Sequence, residues 1–205
     1  MELTQSQERS LRRAFRYLNH NMLLMWRLGL RRMMASPTGG FVMILGTTGR
    51  KSGEHRLVPL NFAERDDRVY CLAGFGKTTH WLLNLQADSR CEVWLPDGRR
   101  LSGIGVLVAK EPDRIAHVRE ILTRSGFAAK LAHPGLDLSS ASDEEIASLG
   151  IRPGVKYEAV EIRLGQPVTG PGGPGDLAWV LPAFAIAGVA TWLTVRRFRQ
   201  SRRPR

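Results

Sequence analysis

Residues 46–60 read GTTGRKSGEHRLVPL, with three hydroxyl side chains and two adjacent cations set among glycines. Gly49 and Gly53 let the backbone reach positive φ, so that successive N–H groups can turn into one concavity. Arg50 and Lys51 add fixed cations, Thr47, Thr48 and Ser52 add donors, and Arg56 closes the pocket from the following strand. That set suits a phosphate or a row of carboxylates. A basic hairpin facing solvent has the same composition, and the chemistry alone does not choose between the two.

Other candidate sites fail on spacing. Gly76-Lys77-Thr78 follows an apolar strand, but a phosphate-binding P-loop needs glycine at position 71, where Cys71 stands. Gly103-Ile104-Gly105 lacks the third glycine of a dinucleotide fingerprint. The five histidines (20, 55, 80, 117, 133) fall at no metal-ligand spacing, so no metal site is expected, and no serine sits in a nucleophile elbow. Cys71 and Cys91 form no CxxC pair and read as reduced, buried small hydrophobes, with a bridge between adjacent strands left open. Hydrolysis has no visible machinery.

The elements that would hold the cationic turn are mostly β. Apolar, β-leaning runs occupy 41–48, 55–63, 68–74, 91–95 and 99–109, the last after the turn Pro96-Asp97-Gly98, and 155–164 alternates as a final strand. Helices are expected from Thr78-Thr79 to about Gln86, from Glu111 to about Arg124, and briefly after the cap residue Ser142. Three strands, a helix and two strands do not make the alternating rhythm of a doubly wound sheet. The pattern predicts an α+β fold, an antiparallel barrel with surrounding helices.

The net charge of +11 sits at the two ends. Residues 1–32 hold seven arginines against Glu2 and Glu8, residues 196–205 hold six arginines and no acid, and the body between is balanced. Basic ends on a neutral body point to an anionic membrane surface rather than to nucleic acid, which usually meets a basic patch on the folded surface. Leu177 to Val195 is 19 residues without a charge, bracketed by Trp179 and Trp192. As a helix it would rise about 28 Å, so a C-terminal transmembrane helix is expected. Leu11, Phe15, Leu18, Met22 and Met25 recur at helical spacing, an N-terminal amphipathic helix whose stripe fits either the protein's own core or a membrane surface. No convincing export signal precedes it, so the expected location is the cell membrane with the barrel on the cytoplasmic side. The expected organisation is a helical segment 1–36, a barrel 37–164, a Pro/Gly linker 165–176, a membrane helix 177–195 and a basic tail 196–205.

The joined pattern TTGRKSG, R-x-x-P-L and HWLLNLQAD resembles the deazaflavin-dependent nitroreductase and quinone reductase family, split β-barrel oxidoreductases that use coenzyme F420, an 8-hydroxy-5-deazaflavin. The resemblance covers roughly 20–110. It implies that Arg50, Lys51 and Ser52 hold the coenzyme's phosphate and oligoglutamate tail, and that Arg56, Leu57, Val58, Pro59, Leu60 and Asn61 run along it. Leu72, Ala73, Gly74 and Phe75 would meet the ring through backbone, and His80, Trp81, Leu82, Leu83 and Asn84 would close the other side, Asn84 as polar anchor. His80 is the catalytic candidate for the proton, since histidine titrates near neutrality. The implied reaction is hydride transfer to a small lipophilic acceptor, a quinone or a nitro or enone compound. Asn61 stands where nitro-reducing members carry tyrosine, the loop 74–79 is short, and 125–153 lacks tyrosine, so the substrate pocket is expected to differ. An FMN-binding split barrel, or a membrane-tethered cofactor or lipid carrier without catalysis, is the alternative, and a homodimer is a further expectation.

Overall fold

A computed structural model describes residues 5–151, 154–170, 173–180, 182–188 and 192. Six long strands form one antiparallel barrel: β2 (Gly40–Thr48), β3 (His55–Arg65), β4 (Arg68–Ala73), β5 (Arg90–Trp94), β6 (Arg100–Leu107) and β7 (Glu158–Pro167). They follow the order β2-β3-β4-β7-β6-β5, and β2 pairs again with β5, so the sheet closes on itself. Closure leaves these strands without an open edge between them. A two-residue strand, β1 (Ala35–Ser36), pairs with the start of β2 and was not legible in the sequence.

Side chains alternate along each strand, and the two sides pack against different partners. Met43 and Leu45 of β2, Phe62 of β3, Cys71 of β4, Val93 of β5 and Ile162 of β7 point into the barrel. One end of that interior is filled by α2 (His80–Ala87), which inserts Trp81, Leu82 and Leu85. The glycines of β6 make the room. A Cβ on Gly105 would lie 2.8 Å from a Leu85 methyl, and one on Gly103 would lie 2.7 Å from Ile162. Cys71 and Cys91 are free thiols in this interior, and burial pushes the Cys91 thiol up to about 12.

Outside the barrel, α1 (Gln5–Arg27) lays Met22, Leu23 and Trp26 on Val42, Ile44, Leu57 and Trp94. The buried face differs from the expected stripe. Leu18 and Met25 are exposed and Trp26 is buried, because the large indole finds its place between β2 and β5. On the other side lie α3 (Glu111–Arg124), α4 (Phe127–Ala132) and α5 (Asp143–Ser148). The buried Arg114 guanidinium joins them, donating to the Glu111 carboxylate, the Tyr157 carbonyl at 2.8 Å and the Ala147 carbonyl. Ser142 caps α5 through the Glu145 N–H, as its sequence position predicts.

Residues 181, 189–191 and 193–195 of the expected membrane span 177–195, and all of the tail 196–205, lie outside the described residues. Among those described, no helix is long and apolar enough to cross a membrane.

Two outcomes follow for stability. Leu85→Ala would leave a cavity in the barrel plug and should cost about 2–5 kcal/mol in urea unfolding. His117 stacks on Tyr70 with ring centroids 3.8 Å apart, and burial, which outweighs the Glu120 carboxylate beside it, holds its pKa below the ordinary value. Burial does the same to His133. The unfolded chain therefore takes up protons near pH 6.5 that the folded chain refuses, so stability is full above that pH and falls as the pH drops below it. The urea midpoint should decline between about pH 7 and about pH 5, less steeply in His117→Gln.

Candidate functional site

The cationic turn joins β2 to β3, and its backbone is largely satisfied from within. Gly49 N–H donates to the Glu54 carbonyl at 2.8 Å, Ser52 and Gly53 N–H donate to the Gly49 carbonyl, and Glu54 N–H donates to Ser52 Oγ. Gly53 takes the left-handed φ of 69° that the turn requires. Gly49 does not, but a Cβ there would sit 2.9 Å from Ser52 Oγ and 3.2 Å from the Glu54 carbonyl. With these N–H groups committed to the turn, what it can offer an anion is mainly the side chains of Arg50, Lys51 and Ser52, all exposed. Arg56 pairs with Glu54 at the surface rather than reaching over the turn.

Asn84 of α2 fixes this turn to the barrel plug. Its side-chain carbonyl accepts from both the backbone N–H and the guanidinium of Arg50, each at 3.2 Å, and its amide N–H donates to Thr47 Oγ1 at 3.2 Å. Thr47 is 1% exposed and Asn84 6%, so the links are shielded from water.

The rest of the expected contact set divides between the two sides of the sheet. On β3, Val58 and Leu60 pack against the barrel interior, whereas Leu57 packs under α1 beside Trp26. Pro59 is buried opposite Ile44 of β2, and Asn61 opposite Val42. The Asn61 amide nitrogen is buried without a hydrogen-bond partner among the described residues, close to Gly40. On β4, Ala73 points inward and Leu72 outward, against the cluster that holds Tyr157 and Ile151. A Cβ on Gly74 would meet Ile151 at 3.3 Å, so the chain before β7 covers this glycine. Trp81 and Leu82 belong to the plug, Leu83 is half-buried, and His80 is exposed at the first position of α2.

Two features had no signal in the sequence. Phe75 is covered by α1: Phe15 meets it edge-on at 5.5 Å, and the Arg12 guanidinium lies 4.4 Å from its ring centre while reaching Thr78 Oγ1. Thr79, which precedes α2, keeps a buried hydroxyl with no partner among the described residues. The cover of α1 over Phe75 joins residues far apart in the chain. Two surface hollows, of about 580 and 720 Å³, lie along α3 and between α3 and α4, and none of the expected site residues lines them.

A family model described as F420H(2)-dependent quinone reductase matches residues 29–125, which contain the cationic turn, β4, the short loop and α2. A comparison with curated proteins finds no match. Among solved structures, an F420-H2 dependent reductase is 17% identical, over 59% of this chain and 92% of that one, with a TM-score of 0.38. An FAD-binding protein from Mesorhizobium loti is 18% identical over 67% and 90%, with a TM-score of 0.41. The heme storage protein of Vibrio cholerae is 14% identical over 69% and 88%, with a TM-score of 0.39. At that distance the solved structures carry no argument about function.

Asn84→Ala strands a buried threonine hydroxyl and removes the partner of Arg50. It should cost about 1–3 kcal/mol in urea unfolding and speed hydrogen exchange at the Arg50 amide. Exchange unchanged at Arg50 would show that the turn holds itself.

Proposed function

We propose, from the chain's membership of the F420H(2)-dependent quinone reductase family over residues 29–125, that it reduces a lipophilic quinone at the expense of reduced F420. The family makes it an F420-dependent oxidoreductase; the acceptor, the membrane and the residue roles are our reading. The observation that carries that reading is the Arg50–Asn84 tie, which sets an exposed cation pair beside the helix that plugs the barrel.

The donor set fits the coenzyme's chemistry. Arg50 and Lys51 supply two adjacent positive charges and Ser52 a hydroxyl, which suits a phosphate followed by carboxylates better than a single phosphate. When bound, the reduced deazaflavin supplies a hydride. The chain's own part is to hold and orient. Asn84 fixes the direction of Arg50, and the packing of Phe15 and Arg12 on Phe75 limits water beside the loop that precedes α2. Reduction of a quinone to a hydroquinone also takes a proton, and His80, exposed on the first turn of α2, is our candidate to deliver it. A nitro or enone acceptor would need the same two equivalents.

The C-terminal apolar stretch and the arginine tail support a location at the cell membrane, where a lipophilic quinone would be at hand, with the barrel on the cytoplasmic side. A homodimer remains part of the proposal.

Titration with oxidised F420, FMN and haem should give the deazaflavin spectrum change and the tightest binding. Replacing Arg50 and Lys51 together by alanine should weaken that binding at least about tenfold, since charge-assisted hydrogen bonds contribute roughly 1.5–3 kcal/mol each. Tighter FMN binding would favour a flavin enzyme, and equal loss of binding and stability would reduce the turn to a structural hairpin. With reduced F420 the protein should turn over menaquinone analogues; silence across several quinones would defeat that acceptor.

A further inference from the structure

The C-terminal half of the face of α1 turned away from the barrel carries four exposed apolar residues around the half-buried Asn21. Tyr17 is 72% exposed, Leu18 51%, Leu24 40% and Met25 37%. At about 100° per residue these four span an arc of about 120° on the outer side of the helix. The neighbouring strip carries Arg13, Arg16, His20 and Arg27, all exposed. Within α1 five arginines face a single acid, Glu8. A helix that only met solvent would carry polar residues at most positions of that arc, whereas over residues 17–25 Asn21 is the one polar side chain on it. An apolar face bordered by arginines is the composition of a helix lying in a bilayer interface.

The C-terminal segment returns to the end of the same helix. Leu177 N–H donates to the Arg27 carbonyl at 2.7 Å, and Gly175 lies against the Arg27 side chain. A Cβ on Gly29 would sit 2.9 Å from the Ala178 Cβ, so these segments touch closely. Beyond this clasp Trp179, Phe184 and Ile186 are each at least 67% exposed. The two apolar surfaces therefore start from one corner of the molecule. Near its middle, through Phe15, α1 rests on Phe75, beside the loop that leads into α2.

We propose that the outer face of α1, together with the exposed apolar residues beyond Ala178, docks on an anionic phospholipid bilayer, with α1 in the headgroup plane. Charge selects this occupant. A second copy would bring its own arginines to the contact, whereas anionic headgroups complement them, and the six tail arginines add to the same preference. The proposal deepens the reading above by giving a lipophilic acceptor a route from the bilayer to the Phe75 loop, but its test does not depend on F420.

The full chain would carry one added cysteine, at Leu24→Cys, Met25→Cys or, as a control on an exposed barrel turn, Asp66→Cys, labelled with an environment-sensitive NBD fluorophore. Cys71 and Cys91 are buried and stay unlabelled in the folded protein. Vesicles of phosphatidylcholine with phosphatidylglycerol should shift the emission to the blue at 24 and 25 and leave 66 unchanged; phosphatidylcholine alone should do neither. In the unlabelled chain, Leu24→Glu with Met25→Glu should weaken cosedimentation with the anionic vesicles about tenfold, apolar burial being part of the binding, and leave F420 binding intact. Vesicle binding with no shift at 24 or 25 would assign docking to the tail alone and overturn the proposal. So would equal shifts on neutral vesicles, or a concentration-dependent shift without lipid, which would mark contact between copies. Loss of F420 binding with the shifts retained would sink the enzymatic reading and leave this one standing.

Discussion

The side chain of Asn84 joins the two halves of the candidate site. It hangs from a helix whose other residues, Trp81, Leu82 and Leu85, are the packing of the barrel interior. Its amide holds Thr47 on β2 and both the backbone and the guanidinium of Arg50. A surface turn of six residues, 49–54, that contains two glycines would otherwise carry its charges on a loose hairpin. Tied to a buried amide, Arg50 inherits the rigidity of the core, which is what a binding group needs if its entropy is not to be lost on each binding event.

The same economy explains where the turn's binding power lies. Its N–H groups close the turn on itself and on Asn84, so the backbone builds shape while the side chains of Arg50, Lys51 and Ser52 carry charge and donors. In the proposed reading this turn would grip the coenzyme's anionic appendage through those side chains. The chain uses β3 on both sides of the sheet: Val58 and Leu60 support the interior, Leu57 supports α1, and the buried amide of Asn61 faces the region of Gly40 without a partner among the described residues. A single continuous wall made from every residue of that strand is excluded by the alternation of side chains.

Glycines serve several unrelated ends in this fold. Gly53 allows a left-handed turn, Gly103 and Gly105 make room for the plug and for Ile162, and Gly29 admits Ala178. The last of these brings the C-terminal segment to α1. It joins the N-terminal arginine-rich helix to the segment from which the sequence runs on to the arginine tail.

The six barrel strands and the helices at α2, α3 and α5 were legible in the sequence because each carries a local pattern: alternation, turn residues, or a capping serine. The cationic turn was legible too, from its glycines and charges, and the family pattern around it from residues that lie close together in the chain. The sequence did not show that α2 enters the barrel, because Trp81, Leu82 and Leu85 read equally well as any apolar helix face. Nor did it show which face of α1 is buried, since period alone cannot decide between Leu18 and Trp26 when both faces are apolar. The contacts between Arg12 and Thr78, between Arg50 and Asn84, and between Gly29 and Ala178 join residues far apart in the chain. Local chemistry determined which groups this protein can offer a ligand; only closure of the barrel decided which of them meet, because that depends on long-range packing to which no short stretch of sequence responds.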